Sequence, residues 1–390
     1  MKKQIGILTA TRAEFGLLKP LINCLMKEDF CDVKVLVTGA HLSPDFGNTI
    51  KEIEEASIPI ATKIQCITGG DSPVDISRSM AVAMTGFGEY FSSNRLDLLI
   101  VLGDRYEVMA VCIAAMNAEI PIAHIHGGET TEGAIDEAVR HSITKMSQLH
   151  FTSTEVYKKR VIQMGEQPDR VYNVGALAVE NTRKTDFISK EDLGETLGID
   201  LSGDYGVVTF HPVTLEKNSG VEQFEQLLEA LDEFPDMSFI ITKANADAGG
   251  RYINKRIDEY AEKRSNAVAV TSLGARRYLS AVKECRVVIG NSSSGIIEAP
   301  CFFVPTVNIG DRQRGRLMPE SVLCCETDRS AIVDTIKIAV SDEFRDKIRT
   351  MKNPFGDGRT SEKITEIIRS IFENSNEICI KKNFYDIEVK

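Results

Sequence analysis

No basic excess runs through this chain. Its 390 residues hold 46 lysines and arginines against 57 aspartates and glutamates, a formal net charge of −11. That balance argues against a nucleic-acid or acidic-membrane partner, so any anionic ligand must be held by local positive charge. No CxxC pair occurs among the nine cysteines, Cys24, Cys31, Cys66, Cys112, Cys285, Cys301, Cys324, Cys325 and Cys379. An odd count lying mostly in apolar runs fits reduced thiols in a cytoplasm better than disulfides or zinc. No long apolar span is present, and the start MKKQIGILTA has too short an apolar run for a signal peptide. A soluble, cytoplasmic protein is expected. A GxxxxGK[ST] loop is missing, which excludes a P-loop kinase or ATPase. Gly86-Phe87-Gly88 lacks the third glycine of a dinucleotide fingerprint. Gly290 to Gly295 is one residue too long for a GxSxG elbow, which disfavours a serine hydrolase. His124 and His126 on one strand point to opposite faces, and no third ligand keeps a metal-site spacing. Neither metal nor other cofactor is therefore expected.

What is present is alternation. At 390 residues the chain is long for one core, and two domains are the better expectation. Ile5–Thr9, Val33–Thr38, Leu98–Leu102, Ile120–Ile125 and Val171–Val174 read as strands. Between them Leu17–Lys27, Ile76–Ser92, Tyr106–Ala118 and Glu137–Gln148 read as helices. A second series has strands at Val207–Phe210, Ser238–Thr242, Ala267–Thr271, Val287–Ile289 and Thr306–Ile309. Its helices lie near Gln223–Leu231, Arg251–Arg264, Arg276–Lys283 and Ser330–Val340. This pattern calls for α/β architecture: two doubly wound parallel-sheet domains, facing a cleft. The expected division is 1–180, 181–360, and a helix and tail at 361–390 crossing back to the first domain. The polar stretch Leu177–Tyr205 reads as the junction.

The stretch Arg286–Glu298, RVVIGNSSSGIIE, is the best candidate for a phosphate cradle. A β-branched strand, a small-residue turn and a helix start leave backbone N–H groups and a dipole facing an anion. Ser292 and Ser293 can donate to phosphate oxygens, although serines before helices also serve as plain caps. In doubly wound sheets ligands sit at the carboxyl ends of strands. Polar residues collect there in both series: Thr11 to Gly16, Gly103 to Glu107, His126 to Glu129, His211 to Thr214, Lys243 to Asp247 and Gly310 to Arg314.

Together, TRAE, GAHL, LGDRYE, HIHGGE, IDEAVRHSITK, HPVT, GNSSSG and NIGDRQRGR resemble the UDP-N-acetylglucosamine 2-epimerase family over nearly the whole chain. The likeness is closest to its hydrolysing branch, in the sialic-acid and legionaminic-acid pathways. The resemblance implies a glycosyltransferase-B-type fold holding a UDP-amino-sugar. It also implies elimination of UDP across C1–C2 to a 2-acetamidoglucal, then water addition giving the free 2-epimer. UDP-N-acetylglucosamine, giving N-acetylmannosamine, is the first substrate expected; UDP-2,4-diacetamido-2,4,6-trideoxyglucose (UDP-N,N'-diacetylbacillosamine) is the alternative. A non-catalytic UDP-sugar-binding regulator is the competing class, and a homodimer or homotetramer is expected. Carried over by position, Ser292, Ser293 and Glu298 bind UDP, with Glu298 accepting from the ribose hydroxyls. Leu273 contacts uracil through its backbone, and Asn245 is a further nucleotide contact. Arg12, Arg105, His211 and Arg312 lie around the diphosphate. Asp104 and Asp136 match acids assigned to catalysis, whereas His126 stands where several members carry Glu.

The chemistry asks for such groups on its own terms: a base for the C2 proton, and charge stabilisation for departing UDP. Asp104, Glu129 and Asp136 are the available carboxylates, with His126 and His211 as imidazoles, a side chain whose unperturbed pKa of roughly 6.5 suits proton transfer at neutral pH. Asp104 and Asp136 can equally be helix caps.

Overall fold

A computed structural model describes residues 2–70, 72–132, 135–211, 219–244 and 250–387. The chain divides into two compact units, one of Met1–Thr130, Ala134–Asn181 and Phe355–Lys390, the other of Thr131–Gly133 and Thr182–Pro354.

In the first unit seven strands form one sheet: β1 (Lys3–Thr9), β2 (Cys31–Thr38), β3 (Ile60–Ile64), β4 (Leu98–Leu102), β5 (Ile122–Ile125), β6 (Leu149–Thr152) and β7 (Val171–Asn173). Their order is β3-β2-β1-β4-β5-β6-β7, with every pair parallel. Strand β4, LLIVL, is buried throughout because helices cover both faces of the sheet. Side chains alternate between those faces. Ile5, Ile7, Val35 and Ile100 join one core with Leu18, Leu21 and Leu25 of the helix Arg12–Leu25. Leu8, Leu36, Leu99 and Val101 join the other with Phe87, Val108 and Val111. The helix Thr360–Asn374 returns to the first core through Ile364, Ile368 and Phe372, spaced to fall on one helical face. Arg369 also clasps Glu28 through two hydrogen bonds of 2.6 and 3.1 Å.

The second unit repeats the plan with β8 (Tyr205–Thr209), β9 (Ser238–Thr242), β10 (Ala267–Val270), β11 (Val287–Gly290), β12 (Thr306–Ile309) and β13 (Val322–Cys325). Its order, β10-β9-β8-β11-β12-β13, repeats that of the first six strands of the other sheet. Both sheets are doubly wound, with helices on both sides. Strand order reverses between β1 and β4 in one unit and between β8 and β11 in the other, which is where such folds bind ligands.

Three parts of the sequence reading change. Strands β3, β6 and β13 were not anticipated. The segment Leu177–Tyr205, read as the junction, carries two helices that the sequence reading did not place, Leu177–Lys184 and Lys190–Leu197. The helix expected after the serine run is a single turn, Ser294–Ile297, followed by a 3-10 turn at Ala299–Phe302. Pro300, having no N–H, prevents regular continuation. No helix among the described residues is long and apolar enough to cross a membrane.

Candidate active site

In the first unit the carboxyl ends of β4 and β5 carry a connected polar network. Asp104 follows β4 and ion-pairs with Arg140, which is 4% exposed and lies on the helix Ile135–Met146. Arg140 also donates to the Glu129 carbonyl at 2.9 Å and to Glu137 Oε2 at 3.3 Å. The turn before Asp104 is fixed from below by buried His124, whose Nε2 lies 2.7 Å from the Gly103 carbonyl and Nδ1 3.1 Å from Thr144 Oγ1. Burial pushes the His124 pKa down to about 3, so this imidazole is a neutral tie. Asp104 does not cap the following helix; Arg105 occupies the cap position, with no side-chain cap bond.

His126 follows β5 in the left-handed region, φ 65°, which non-glycine residues seldom adopt. Its Nδ1 lies 3.6 Å from Glu129 Oε1, and its Nε2 accepts from the Leu177 amide at 3.5 Å. Glu129, 7% exposed, also accepts from Ser153 Oγ at 2.6 Å. Gly128 is required by the turn: φ is 79°, and a Cβ there would lie 2.6 Å from the Tyr157 carbonyl. Asp136 lies in the first turn of its helix, where desolvation raises its pKa against the opposing charge of Arg105. Arg140 therefore links Asp104 to the Glu129 backbone, the Glu129 carboxylate lies beside His126, and Asp136 sits on the same helix as Arg140.

Arg12 and Arg105 occupy the ends of β1 and β4. Arg12 is exposed and pairs with Glu52 at 2.7 Å. Arg105 pairs with Glu107 at 2.6 Å and approaches Glu14 at 4.0 Å. Sequence reasoning missed Glu14, Glu107, Arg140 and Ser153 as site residues. For Glu107 a signal was available: it is the lone charged residue of the helix YEVMAVCIAAMN.

In the second unit the serine turn sits between β11 and the single helical turn. Gly290 has φ 131°, and a Cβ there would fall 1.9 Å from the Thr209 carbonyl, so only glycine fits between β11 and β8. Asn291, 1% exposed, grips the His211 backbone, accepting from its N–H and donating to its carbonyl, both at 2.8 Å. The Asn291 carbonyl in turn accepts from Arg312 Nη1 at 3.0 Å and Gln313 Nε2 at 2.8 Å. His211, the serine turn and Arg312 are thus held together by one asparagine. Ser293 occupies the cap position without a side-chain cap bond, while Ser292 Oγ accepts from the Ser294 amide at 3.4 Å. A plain capping role accounts for Ser292 better than for Ser293. The short helix carries only a small dipole, so the hydroxyls and turn amides are what this turn offers an anion. Glu298 is half-buried, and desolvation raises its pKa. Ser294 Oγ and Tyr278 Oη are buried without a hydrogen-bond partner among the described residues. Leu273, 4% exposed, begins the helix Gly274–Glu284, its carbonyl accepting from Arg277 Nε at 2.9 Å. Asn245 lies outside the described residues. No group of three or more His, Cys, Asp or Glu among the described residues is arranged to hold a metal ion.

Two doubly wound parallel sheets with polar strand ends define the glycosyltransferase-B-like class. Residues 24–369 match the sequence model of the family described as UDP-N-acetylglucosamine 2-epimerase. The chain is 39% identical to the GDP/UDP-N,N'-diacetylbacillosamine 2-epimerase (hydrolyzing) of Campylobacter jejuni, over 99% of this chain and 100% of that one. It is equally 39% identical to the Polysialic acid biosynthesis protein P7 of Escherichia coli, over 99% and 98%. Among solved structures, a UDP-GlcNAc 2-epimerase from Neisseria meningitidis bound to UDP-GlcNAc aligns with TM-score 0.80 at 18% identity, over 94% of this chain and 100% of that one. At that identity the likeness bears on the fold alone. This chain belongs to the UDP-N-acetylglucosamine 2-epimerase family.

Proposed function

We propose that the protein is a hydrolysing 2-epimerase of a UDP-2-acetamido sugar. The observation that carries this reading is the network of Asp104, Arg140, Glu129 and His126 at adjacent strand ends, in a chain of this family. A sensor that only bound UDP-sugar would have no use for clustered acids and imidazole there. In the proposed reaction a base removes the C2 proton, the C1–O bond to the β-phosphate breaks, and UDP leaves. The resulting 2-acetamidoglucal then gains hydroxyl at C1 and a proton at C2 on the opposite face, releasing the 2-epimer.

His126 is the proposed C2 base, acting through Nε2, to which the Leu177 amide makes only a long 3.5 Å contact. Glu129, beside its Nδ1, would stabilise the imidazolium formed when the ring takes the proton. The uncommon backbone of His126 supports this, because such conformations collect at functional sites. Asp104 and Asp136 are the proposed acids for the opposite face, and Arg140 would keep Asp104 in place. On the nucleotide side, Ser292, Ser293 and Arg312 are proposed for the diphosphate, Glu298 for the ribose and the Leu273 backbone for uracil. His211 is proposed beside the diphosphate, and Asn245 as a nucleotide contact by resemblance alone.

The family description supports UDP-N-acetylglucosamine as substrate, with N-acetylmannosamine as product. The relative named for diacetylbacillosamine supports the 2,4-diacetamido-6-deoxy sugar as a second reading. Separate incubation with each UDP-sugar, following UDP and the reducing sugar, discriminates them. Release of UDP with a free 2-epimer from either substrate supports the function, and the faster substrate identifies the sugar. Binding of both with turnover of neither would leave a regulator and defeat the proposal.

A further inference from the structure

Glu14 and Glu107 have no part in the chemistry above, yet both carboxyl groups lie inside the first unit, where the strand order reverses between β1 and β4. Glu107 is 0% exposed and Glu14 is 8% exposed. Burying carboxylates is unfavourable unless they are paired. Their partner is Arg105, whose Nε donates to Glu107 Oε1 at 2.6 Å and lies 4.0 Å from Glu14 Oε1. Each acid keeps one buried oxygen, Glu14 Oε1 and Glu107 Oε2, without a hydrogen bond among the described residues. Glu14 Oε2 is tied to the Ala10 amide at 2.8 Å. The turn after β2 closes the same space: at Gly39 (φ 61°) a Cβ would lie 2.9 Å from the Ala10 carbonyl and 3.2 Å from Glu107 Oε1. The first turns of two helices thus bring both acids to one edge of one guanidinium, and the turn after β2 packs against them.

The other edge is different. The Arg105 side chain is 42% exposed, and among the described residues it donates a hydrogen bond only through Nε. A guanidinium is a rigid planar fork, so fixing Nε fixes the direction of both terminal nitrogens. Such a fork matches two oxygens of a phosphate.

We propose that Glu107, backed by Glu14, is a positioning residue that grips Arg105 by Nε and presents its terminal nitrogens to the diphosphate of the UDP-sugar. This rests on the function proposed above. It explains why two acids are kept in a space that apolar side chains would fill more stably. Burial raises the Glu14 pKa to about 7, which limits the excess negative charge the pair carries beside an anionic ligand.

The test is calorimetric titration of UDP into the wild type, Glu107→Gln, Arg105→Ala, the double variant and Arg105→Lys, with thermal melting of each. Glu107→Gln keeps the side-chain shape and removes the charge. We expect each single change to weaken UDP binding roughly tenfold, and the double variant to bind no more weakly than Arg105→Ala, because coupled residues are not additive. Arg105→Lys, which keeps the charge and loses the fork, is expected to lose most of the affinity. Wild-type affinity in Glu107→Gln or in Arg105→Lys, or losses that multiply in the double variant, overturns the proposal and leaves the function standing. A wild type that binds no UDP overturns the function, and this inference with it. Should Glu107→Gln melt below the assay temperature, Arg105→Lys alone decides.

Discussion

Asp104 is both a proposed catalytic acid and the ion-pair partner of a buried arginine. Its partner Arg140 is 4% exposed, so neutralising Asp104 leaves a buried guanidinium short of charge. Removing one partner of a buried pair typically costs about 3–5 kcal/mol, and Asp104, being a quarter exposed, should sit below that range. Asp104→Asn is therefore expected to lower turnover by roughly 10²–10⁴ and also to lower the melting temperature. From sequence, where Arg140 is an ordinary helix residue, only the first effect was foreseeable. The check is UDP release alongside calorimetric melting, and near-normal turnover would reduce Asp104 to a structural anchor. Glu14 carries a second residue-scale prediction. Its pKa is raised from 4.5 to about 7 by burial, helped by Glu107 and opposed by the Ala10 amide and Arg105. Between those values the folded chain holds a proton that the unfolded chain has lost, so stability falls as pH rises from 4.5 to 7. Glu14→Gln should flatten that slope, by up to about 3 kcal/mol. Urea unfolding at pH 5 and pH 8 measures it, and an unchanged slope would refute the assignment.

At the scale of elements, long runs with a clear period were legible and short or polar ones were not. LLIVL and SFIIT could be read as strands because both faces are covered. Edge strand β3, IATKI, alternates half-buried and exposed positions, so its apolar signal is weak. Strand β6, LHFT, lies inside the sheet and is buried throughout, but His150 disguises it; the structure pairs Nε2 of that buried ring with Glu166 at 2.9 Å. The helices in Leu177–Tyr205 are eight residues each and mostly polar, which is how a linker also reads. The strand–turn–helix at β11 was legible as a turn, though not the length of its helix, which Pro300 cuts short. Two predictions belong here. Ser292→Ala with Ser293→Ala should weaken UDP binding at least tenfold by calorimetry with little change in melting, since Ser293 makes no cap bond. Unchanged affinity would return both serines to capping. Gly290→Ala should destabilise by ~2 kcal/mol or more, because a Cβ would stand 1.9 Å from the Thr209 carbonyl. Denaturant unfolding tests it, and a neutral effect would contradict the close approach of β11 to β8.

Across the whole molecule, the two repeated sheets were readable from alternation alone, while the contacts that tie distant segments together were not. Lys382, near the end of the chain, donates to the Ser147 carbonyl and pairs with Glu166, each at 2.6 Å. Glu166 is 2% exposed and also holds Lys145 and His150. Burial alone would raise its pKa, but hydrogen bonds from His150, Lys145 and Lys382 win and draw it down to about 2. That stabilisation is complete above pH 4.5, the ordinary value, and is lost as pH falls toward 2. Lys382→Ala is expected to cost about 1–3 kcal/mol at pH 7 and progressively less in acid, as read by unfolding at several pH values. A loss independent of pH would mean that Lys382 acts only by packing.

The central claim is that a base in this protein removes the proton at C2 of a UDP-amino-sugar while UDP departs. The most direct measurement is proton NMR of the reaction in D₂O with the preferred UDP-sugar. The account predicts UDP release together with a free 2-epimer carrying deuterium at C2, both strongly slowed in His126→Ala. A released sugar that retains its C2 proton and its original configuration would contradict it.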